Sequence, residues 1–296
     1  MLIKTNISVK YLELLKKSLV NELYVENEAK LIKSMSAILN NLEMTLQELF
    51  NIRNDRSLLD LLSNNKVHGM SLALAKINSD GSATIEDWTR NCTELSHTMI
   101  GRKRLDNIQY CIETVLEENI PGDLIETGIW RGGAVIFMRG VLAAYGITDR
   151  IVWAADSFEG VPAPSLPEDV DLDLSARVLP VLAVSIEEVM DLFERYDLLD
   201  EQVSFIQGWF KDSLARAPIE TLAVLRLDGD LYESTMDALN PLYPKVSKGG
   251  FIIVDDYYSC PPCKKAIDEF RAQYSIQSEL RQIDDQSVYW RRSEHE

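Results

Sequence analysis

The sequence predicts an α/β domain built on a doubly wound, largely parallel sheet and preceded by a helical extension. Three observations predict it. Runs of buried-strand type recur from residue 123 onward, helical patterns separate them, and residues 1–94 instead carry leucine stripes at helical spacing. With 296 residues, 46% hydrophobic and 26% charged, the chain can fill one large domain and this appendage without long disorder.

Leu12, Leu15, Leu19 and Leu23 recur at three- to four-residue steps and mark an amphipathic helix over 11–23. Leu31, Met35, Ile38, Leu42 and Leu49 continue that spacing, and Leu58, Leu59, Leu61 and Leu62 suggest a shorter third element. Such stripes pack either on the chain's own main domain or on a second copy, which makes these helices the candidate contact of a homo-oligomer. Residues 78–84, with Asp80-Gly81 and two serines, read as a loop and an internal boundary. The division expected is a helical region over 1–94 and an α/β domain over 95–296.

A helix over 104–118 leads into strand runs at 123–126, 151–156, 203–206, 222–228 and 251–255. Helical patterns at 135–144, 185–196 and 234–243 lie between them. This alternation implies right-handed crossovers and helices on both faces of a parallel sheet. Residues 161–170, rich in proline and acid, read as a surface loop.

Acidic residues outnumber basic ones 47 to 30, for a formal net charge of −17. That charge repels nucleic-acid backbones and anionic membrane surfaces, so neither is an expected partner. No apolar run approaches the ~20 residues of a membrane span, and the N-terminus lacks a signal-peptide core, so a cytoplasmic protein is expected. Four cysteines, Cys92, Cys111, Cys260 and Cys263, are too few and too spread for a disulfide framework. The pair Cys260 and Cys263 has C-x-x-C spacing but no second ligand pair and no thioredoxin-like setting, so reduced loop thiols are expected. Of the three histidines, only His97 lies within a motif, and His68 and His295 are expected at the surface.

The chemistry-bearing residues fall at strand ends. In "DLIETGIWRGG" a short strand carrying Glu126 runs through Gly128, Gly132 and Gly133 into a helix, whose start offers free N–H groups and a positive dipole end. The spacing is not the dinucleotide pattern G-x-G-x-x-G. The next strand ends in Asp156, where an acid can accept both hydroxyls of a ribose. Asp228 and Asp230 end one later strand, and Asp255 and Asp256 end another, one crossover helix away. In an open α/β sheet those ends face one crevice. Four uncompensated acids there would raise one another's pKa unless a cation were present, and oxygen ligands without nearby histidines suit Mg²⁺ better than zinc.

At this point the sequence resembles the TylF family, the macrocin and demethylmacrocin type of sugar O-methyltransferases from antibiotic pathways. The resemblance rests on "YLELLKKSLVNELY" (11–24), "LSHTMIGRKRLDNIQ" (95–109), "DLIETGIWRGGAVIFMRG" (123–140), "AADSFEGVP" (154–162), "IQGWFKDSL" (206–214), "LRLDGDLYESTMDAL" (225–239) and "GGFIIVDDY" (249–257). It implies a Rossmann-like methyltransferase sheet using S-adenosylmethionine and Mg²⁺, with Asp228, Asp255 and Asp256 as metal ligands and Asp230 as the base. It further implies that Glu126, Gly128, Ile129, Trp130, Arg131 and Gly132 form the cofactor loop and that Asp156 and Ser157 contact the ribose. Gln207, Gly208 and Trp209 match the adenine contact, and Thr98 and Met99 belong to a segment closing over the methionine end. His97, in that segment, is the second candidate for the base.

One departure stands out. The stretch between the first helix and "HTMIG" is longer than expected for the sugar-modifying members, in a region that helps form the lid over the acceptor. The acceptor expected is a hydroxyl on a sugar, polyketide or peptide scaffold, free or carrier-bound. Two rival readings belong to other classes. A nucleotide-dependent oxidoreductase shares the sheet and the ribose acid but not this glycine spacing, and a non-catalytic binding module leaves the four acids unexplained.

Overall fold

The computed structural model describes residues 4–70, 72–86, 94–293 and 295. They form two compact units, Leu14–Lys103 and, from both sides of it in sequence, the residues up to Glu13 with Arg104–Glu296. Among the described residues no helix is long and apolar enough to cross a membrane.

The first unit is mainly helical. It takes in the C-terminal part of α1 (Asn6–Leu19), from Leu14 on, then α2 (Val25–Leu39), α3 (Leu46–Phe50) and α4 (Arg56–His68). A hairpin of β1 (Leu74–Ile77) and β2 (Ala83–Glu86) follows. Leu12, Leu15 and Leu19 are buried along one face of α1, as their spacing predicts, while Leu23 lies beyond the helix end and is exposed. The second stripe is offset from the one expected. The buried face of α2 runs through Ala29 and Ile32 with Met35 and Leu39 packed beside them, whereas Ile38 is 71% exposed and Leu42, beyond the helix, 64%. The step from Met35 to Leu39 follows the helical period on that face, and Ile38 falls on the next one. Residues 78–84, read as a boundary loop, hold the hairpin turn, and Thr84 already pairs with Lys76. Cys92 lies outside the described residues.

The second unit contains the sheet. After α5 (Arg102–Glu117) come β3 (Asp123–Thr127), α6 (Gly133–Ala144), β4 (Val152–Asp156), α7 (Ile186–Arg195), β5 (Val203–Gln207) and the single turn α8 (Phe210–Ser213). Then follow β6 (Leu222–Leu227), α9 (Tyr232–Leu242), β7 (Val246–Val254), α10 (Pro261–Gln273), β8 (Arg281–Gln282) and β9 (Val288–Arg291). The strand order is β5-β4-β3-β6-β7-β9-β8, with the first five strands parallel and the last two antiparallel. All six residues of β6 are buried, as befits a central parallel strand with both faces covered. β8 and β9 were not among the expected strands; β9 pairs Phe251 with Arg291 and Val254 with Val288 and buries Val288 and Trp290 against the core. Cys260 caps α10 and Cys263 lies in its first turn, both buried in the core, so they are not the loop thiols expected.

Candidate active site

The chain runs outward from β3 to β4 and β5, then returns to the other side of β3 with β6. A ligand crevice opens where that order reverses, at the carboxyl ends of β3 and β6. Here the two turns meet backbone to backbone. Gly128 has φ +85°, and a Cβ on it would sit 1.8 Å from the carbonyl oxygen of Asp228, so only glycine fits. Trp130 is also left-handed (φ 49°), with its indole N–H donating to the Val181 carbonyl at 3.0 Å and the Arg131 guanidinium stacked on its ring at 4.2 Å. Gly132 opens α6 without a side-chain cap, which leaves the first N–H groups of that helix available to a ligand.

Asp156, at the end of β4, accepts from the N–H groups of Ile129 and Phe158, each at 2.8 Å. It therefore braces the turn after β3, and each oxygen keeps lone-pair capacity for a further donor. The Ser157 hydroxyl donates to Gly160 O at 2.7 Å and accepts from the Glu159 N–H at 3.0 Å. Gln207 pairs with Asp156 across β4 and β5, and the Gly208 N–H reaches Asp156 O at 2.9 Å. Gln207 is exposed and Trp209 half-buried at this strand end.

The acids converge at the ends of β6 and β7, and they are not uncompensated. Arg226, fully buried in β6, ion-pairs with Glu126 and Asp255 and reaches Asp228 at 2.6 Å. Arg104, from α5, donates to Asp255 at 2.5 Å and to Asp284 at 2.8 Å. Two guanidinium groups thus supply part of the positive charge that sequence reasoning assigned wholly to a metal. Glu126 faces Arg226 and is 2% exposed, so it lies within this buried cluster. Burial pushes its carboxyl up to about 8 against the attraction of Arg226.

Beyond the arginines the acids face one another. One oxygen each of Asp228, Asp255 and Asp256 lies within 4.8 Å of the others, and Asp230, Asp256 and the Cys260 sulfur make a second such group. Burial, followed by the charges of Asp228 and Asp255, pushes Asp230 up to about 7. Burial, followed by Asp230, Asp228 and Asp255, holds Asp256 well above the usual carboxylate range. Burial and then Asp255 raise Asp228. No N–H or O–H donor reaches the buried Oδ2 of Asp256.

His97, Thr98 and Met99 lie in the other unit, within a segment fastened to that unit's helices. The His97 N–H donates to Leu19 O at 2.8 Å, Ser96 donates to Val20 O at 3.1 Å, and the buried Lys66 ammonium bonds Glu28, Glu94 and Ser96 at 2.9–3.2 Å. Thr98 is buried, and His97 and Met99 are half-buried. His68 is also half-buried, not fully at the surface, whereas His295 is exposed.

Sequence reasoning missed Arg226 and Arg104. A signal for the first was present: a lone arginine inside the apolar run "LAVLRL", two residues before Asp228 and on the same face of the strand.

The sequence matches the macrocin-O-methyltransferase (TylF) family over residues 8–292. It is 59% identical over 210 residues to a demethyldecarbamoylnovobiocin O-methyltransferase of Streptomyces niveus, covering 70% of this chain and 78% of that protein. It is 54% identical over 205 residues to the 8-demethyl-8-(2,3-dimethoxy-alpha-L-rhamnosyl)-tetracenomycin-C 4'-O-methyltransferase of Streptomyces olivaceus, covering 68% and 78%. Among solved structures, the O-methyltransferase NovP matches with a TM-score of 0.74 at 45% identity, over 97% of this chain and 99% of that one. With its reversal of strand order, its glycine turn against the acid turn and a match over nearly its whole length, the chain belongs to the macrocin-O-methyltransferase (TylF) family and is an S-adenosylmethionine-dependent O-methyltransferase.

Proposed function

We propose that the protein methylates a hydroxyl of a glycosylated natural product in the cytoplasm, with Mg²⁺ held by Asp228, Asp255 and Asp256 and with Asp230 as the base. The observation that carries the metal is the donor set: three carboxylates within reach of one another, all oxygen, with a buried Asp256 oxygen that no N–H or O–H satisfies. Asp255 is oriented for this by Arg104 and Arg226, and Asp228 by Arg226. When bound, Mg²⁺ supplies positive charge that lowers the pKa of an acceptor hydroxyl.

The turn of Gly128, Ile129, Trp130, Arg131 and Gly132 holds the cofactor beside that site, with Asp156 on the ribose and Gln207 to Trp209 by the adenine. Methyl transfer forms the O–CH₃ bond as the S–CH₃ bond breaks, and the hydroxyl proton passes to Asp230. Because Gly128 abuts Asp228, the two turns keep the acceptor oxygen and methyl group at a fixed spacing, the main lever for an in-line displacement. The longer helical region of residues 27–94 either selects the acceptor, free or carrier-bound, or joins two copies of the chain.

The test is methyl transfer to two glycosides, demethyldecarbamoylnovobiocin and the rhamnosyl tetracenomycin methylated by the Streptomyces olivaceus relative, measured against Mg²⁺ concentration after chelator treatment. Asp256→Asn should weaken Mg²⁺ affinity and recover in part with excess Mg²⁺. Asp230→Asn should bind S-adenosylmethionine normally yet turn over ~10²–10⁴-fold more slowly at any Mg²⁺ concentration. Full wild-type activity without a divalent ion would refute the metal assignment. A near-normal rate for Asp230→Asn would move the base to His97.

A further inference from the structure

Between β4 and α7 the chain crosses residues 157–185 with little regular structure: a bridge of Val161 with Ser175 and one 3-10 turn, Pro180–Leu182. In the middle of this proline-rich stretch Asp169 is fully buried, at 0% exposure. A carboxylate is buried in a loop only where it is well bonded. Its partners are the backbone N–H groups of Tyr232 at 2.7 Å and Glu233 at 3.1 Å, 63 and 64 residues away. Those are the first two residues of α9. The helix's own capping position is Leu231, which has no side-chain oxygen, so Asp169 supplies from a distant loop the anion that a helix start favours.

The location of that helix start gives the contact its meaning. α9 begins after Asp228, Gly229, Asp230 and the capping Leu231, and Asp230 itself is left-handed at φ 57°. The backbone that aims Asp230 therefore hangs between β6 and a helix end fixed by Asp169. The same loop leaves β4 at Asp156 and Ser157 and is tied to the cofactor turn by the Trp130 indole on Val181. Lys265 of α10 holds Glu168 at 3.1 Å, next to Asp169. One loop is thus anchored at three strand ends, those of β3, β4 and β6.

We propose that Asp169 is a positioning residue for methyl transfer: it locks the loop of residues 157–185 as a wall of the acceptor side and sets the Asp228–Asp230 turn against it. This rests on the methyl-transfer reading above. It touches neither cofactor nor acceptor, and it acts through α9.

The experiment compares Asp169→Ala and Asp169→Asn with wild type. It measures S-adenosylmethionine affinity by calorimetry, kcat and acceptor KM on the two glycosides at saturating Mg²⁺, and amide exchange across 157–185 and 228–242. Affinity for S-adenosylmethionine should stay within about twofold, the scatter for independent sites. In Asp169→Ala kcat should fall on the order of 10²-fold, the scale for a displaced catalytic group, and acceptor KM should rise. Asp169→Asn should recover most of that loss, since its amide oxygen still accepts one N–H. The Tyr232 and Glu233 amides should lose protection together with the loop in Asp169→Ala.

A folded Asp169→Ala with wild-type kcat would overturn the proposal. So would cofactor affinity and kcat falling in parallel without recovery in Asp169→Asn, since that is general loosening. Should Asp169→Ala fail to fold, Asp169→Asn decides: faster exchange at Tyr232 with unchanged kcat and KM overturns it. A wild-type enzyme inert on both glycosides would count against the methyl-transfer reading, while the exchange data would still report whether Asp169 couples the loop to α9.

Discussion

The turn after β3 and the turns after β6 and β7 meet at one crevice but are built on opposite principles. The first is a backbone device: its glycines and left-handed residues bring N–H groups to a ligand, and the acid that braces it, Asp156 at the end of β4, accepts from N–H donors. The others are a side-chain device, with acids packed until burial and mutual repulsion raise the pKa values of Asp228, Asp230 and Asp256. A backbone site is intolerant of a single added atom. A charge site tolerates changes of shape but not a change in its balance of charge.

Arg226→Met should therefore have the largest effect on folding, because it leaves Glu126, Asp228 and Asp255 buried around an uncharged side chain. A loss of about 3–5 kcal/mol in urea unfolding at neutral pH is expected. Adding Glu126→Gln should restore part of it. A single-variant loss below about 1 kcal/mol would break the comparison, since the acids would then stand without their internal cation.

Next comes Gly128→Ala, whose added carbon meets Asp228 O in a backbone conformation that alanine resists. Calorimetry should show S-adenosylmethionine affinity falling at least about tenfold with a stability loss of about 1–3 kcal/mol, the range for overpacking. Undiminished affinity would mean the cofactor turn is not fixed by its contact with Asp228.

The smallest effect sharpens the contrast from the other end of the sheet. Asp200, just before β5, is a third exposed, and its hydrogen bonds with Arg139 hold its carboxyl below the usual range. A depressed pKa gives stability that is present above the unfolded value of about 3.9 and is lost as pH falls through the folded one. Asp200→Asn should thus cost about 0.5–1 kcal/mol at pH 7, and the difference from wild type should close as pH falls below about 4. A gap that persists at pH 3 would assign the effect to packing.

The strands that carry the site were legible because each is a short apolar run ending in a glycine or an acid, as in 123–128 and 222–228. β9 was not. It offers four residues, Val288 to Arg291, and its identity as a strand comes from pairing with β7. The four acids were legible as a cluster, since strand ends of a parallel sheet share an edge. Their compensation was not, because Arg104 meets Asp255 across 151 residues, and Arg226, though visible as a lone arginine in an apolar run, does not reveal from the sequence that Glu126 and Asp255 on neighbouring strands are its partners. Asp169 was hidden for a related reason: loop acids are ordinarily solvated, and only the folded chain brings this one to a helix start. The α2 stripe failed differently, since Met35 suits both the buried face and the expected one and the two part only at Ile38 and Leu39.

The fit of Gly128 against the Asp228 carbonyl also bears on how such enzymes can be recombined. Two segments a hundred residues apart in sequence were shaped to one another at a single backbone contact. A chimera with a relative that joins the parents anywhere between residues 128 and 228 brings together halves with separate histories. Junctions outside that interval transfer the matched pair intact. Exchanging residues 157–185 as a cassette leaves both halves of that pair in the recipient, and the match it must then keep is the one between Asp169 and the start of α9.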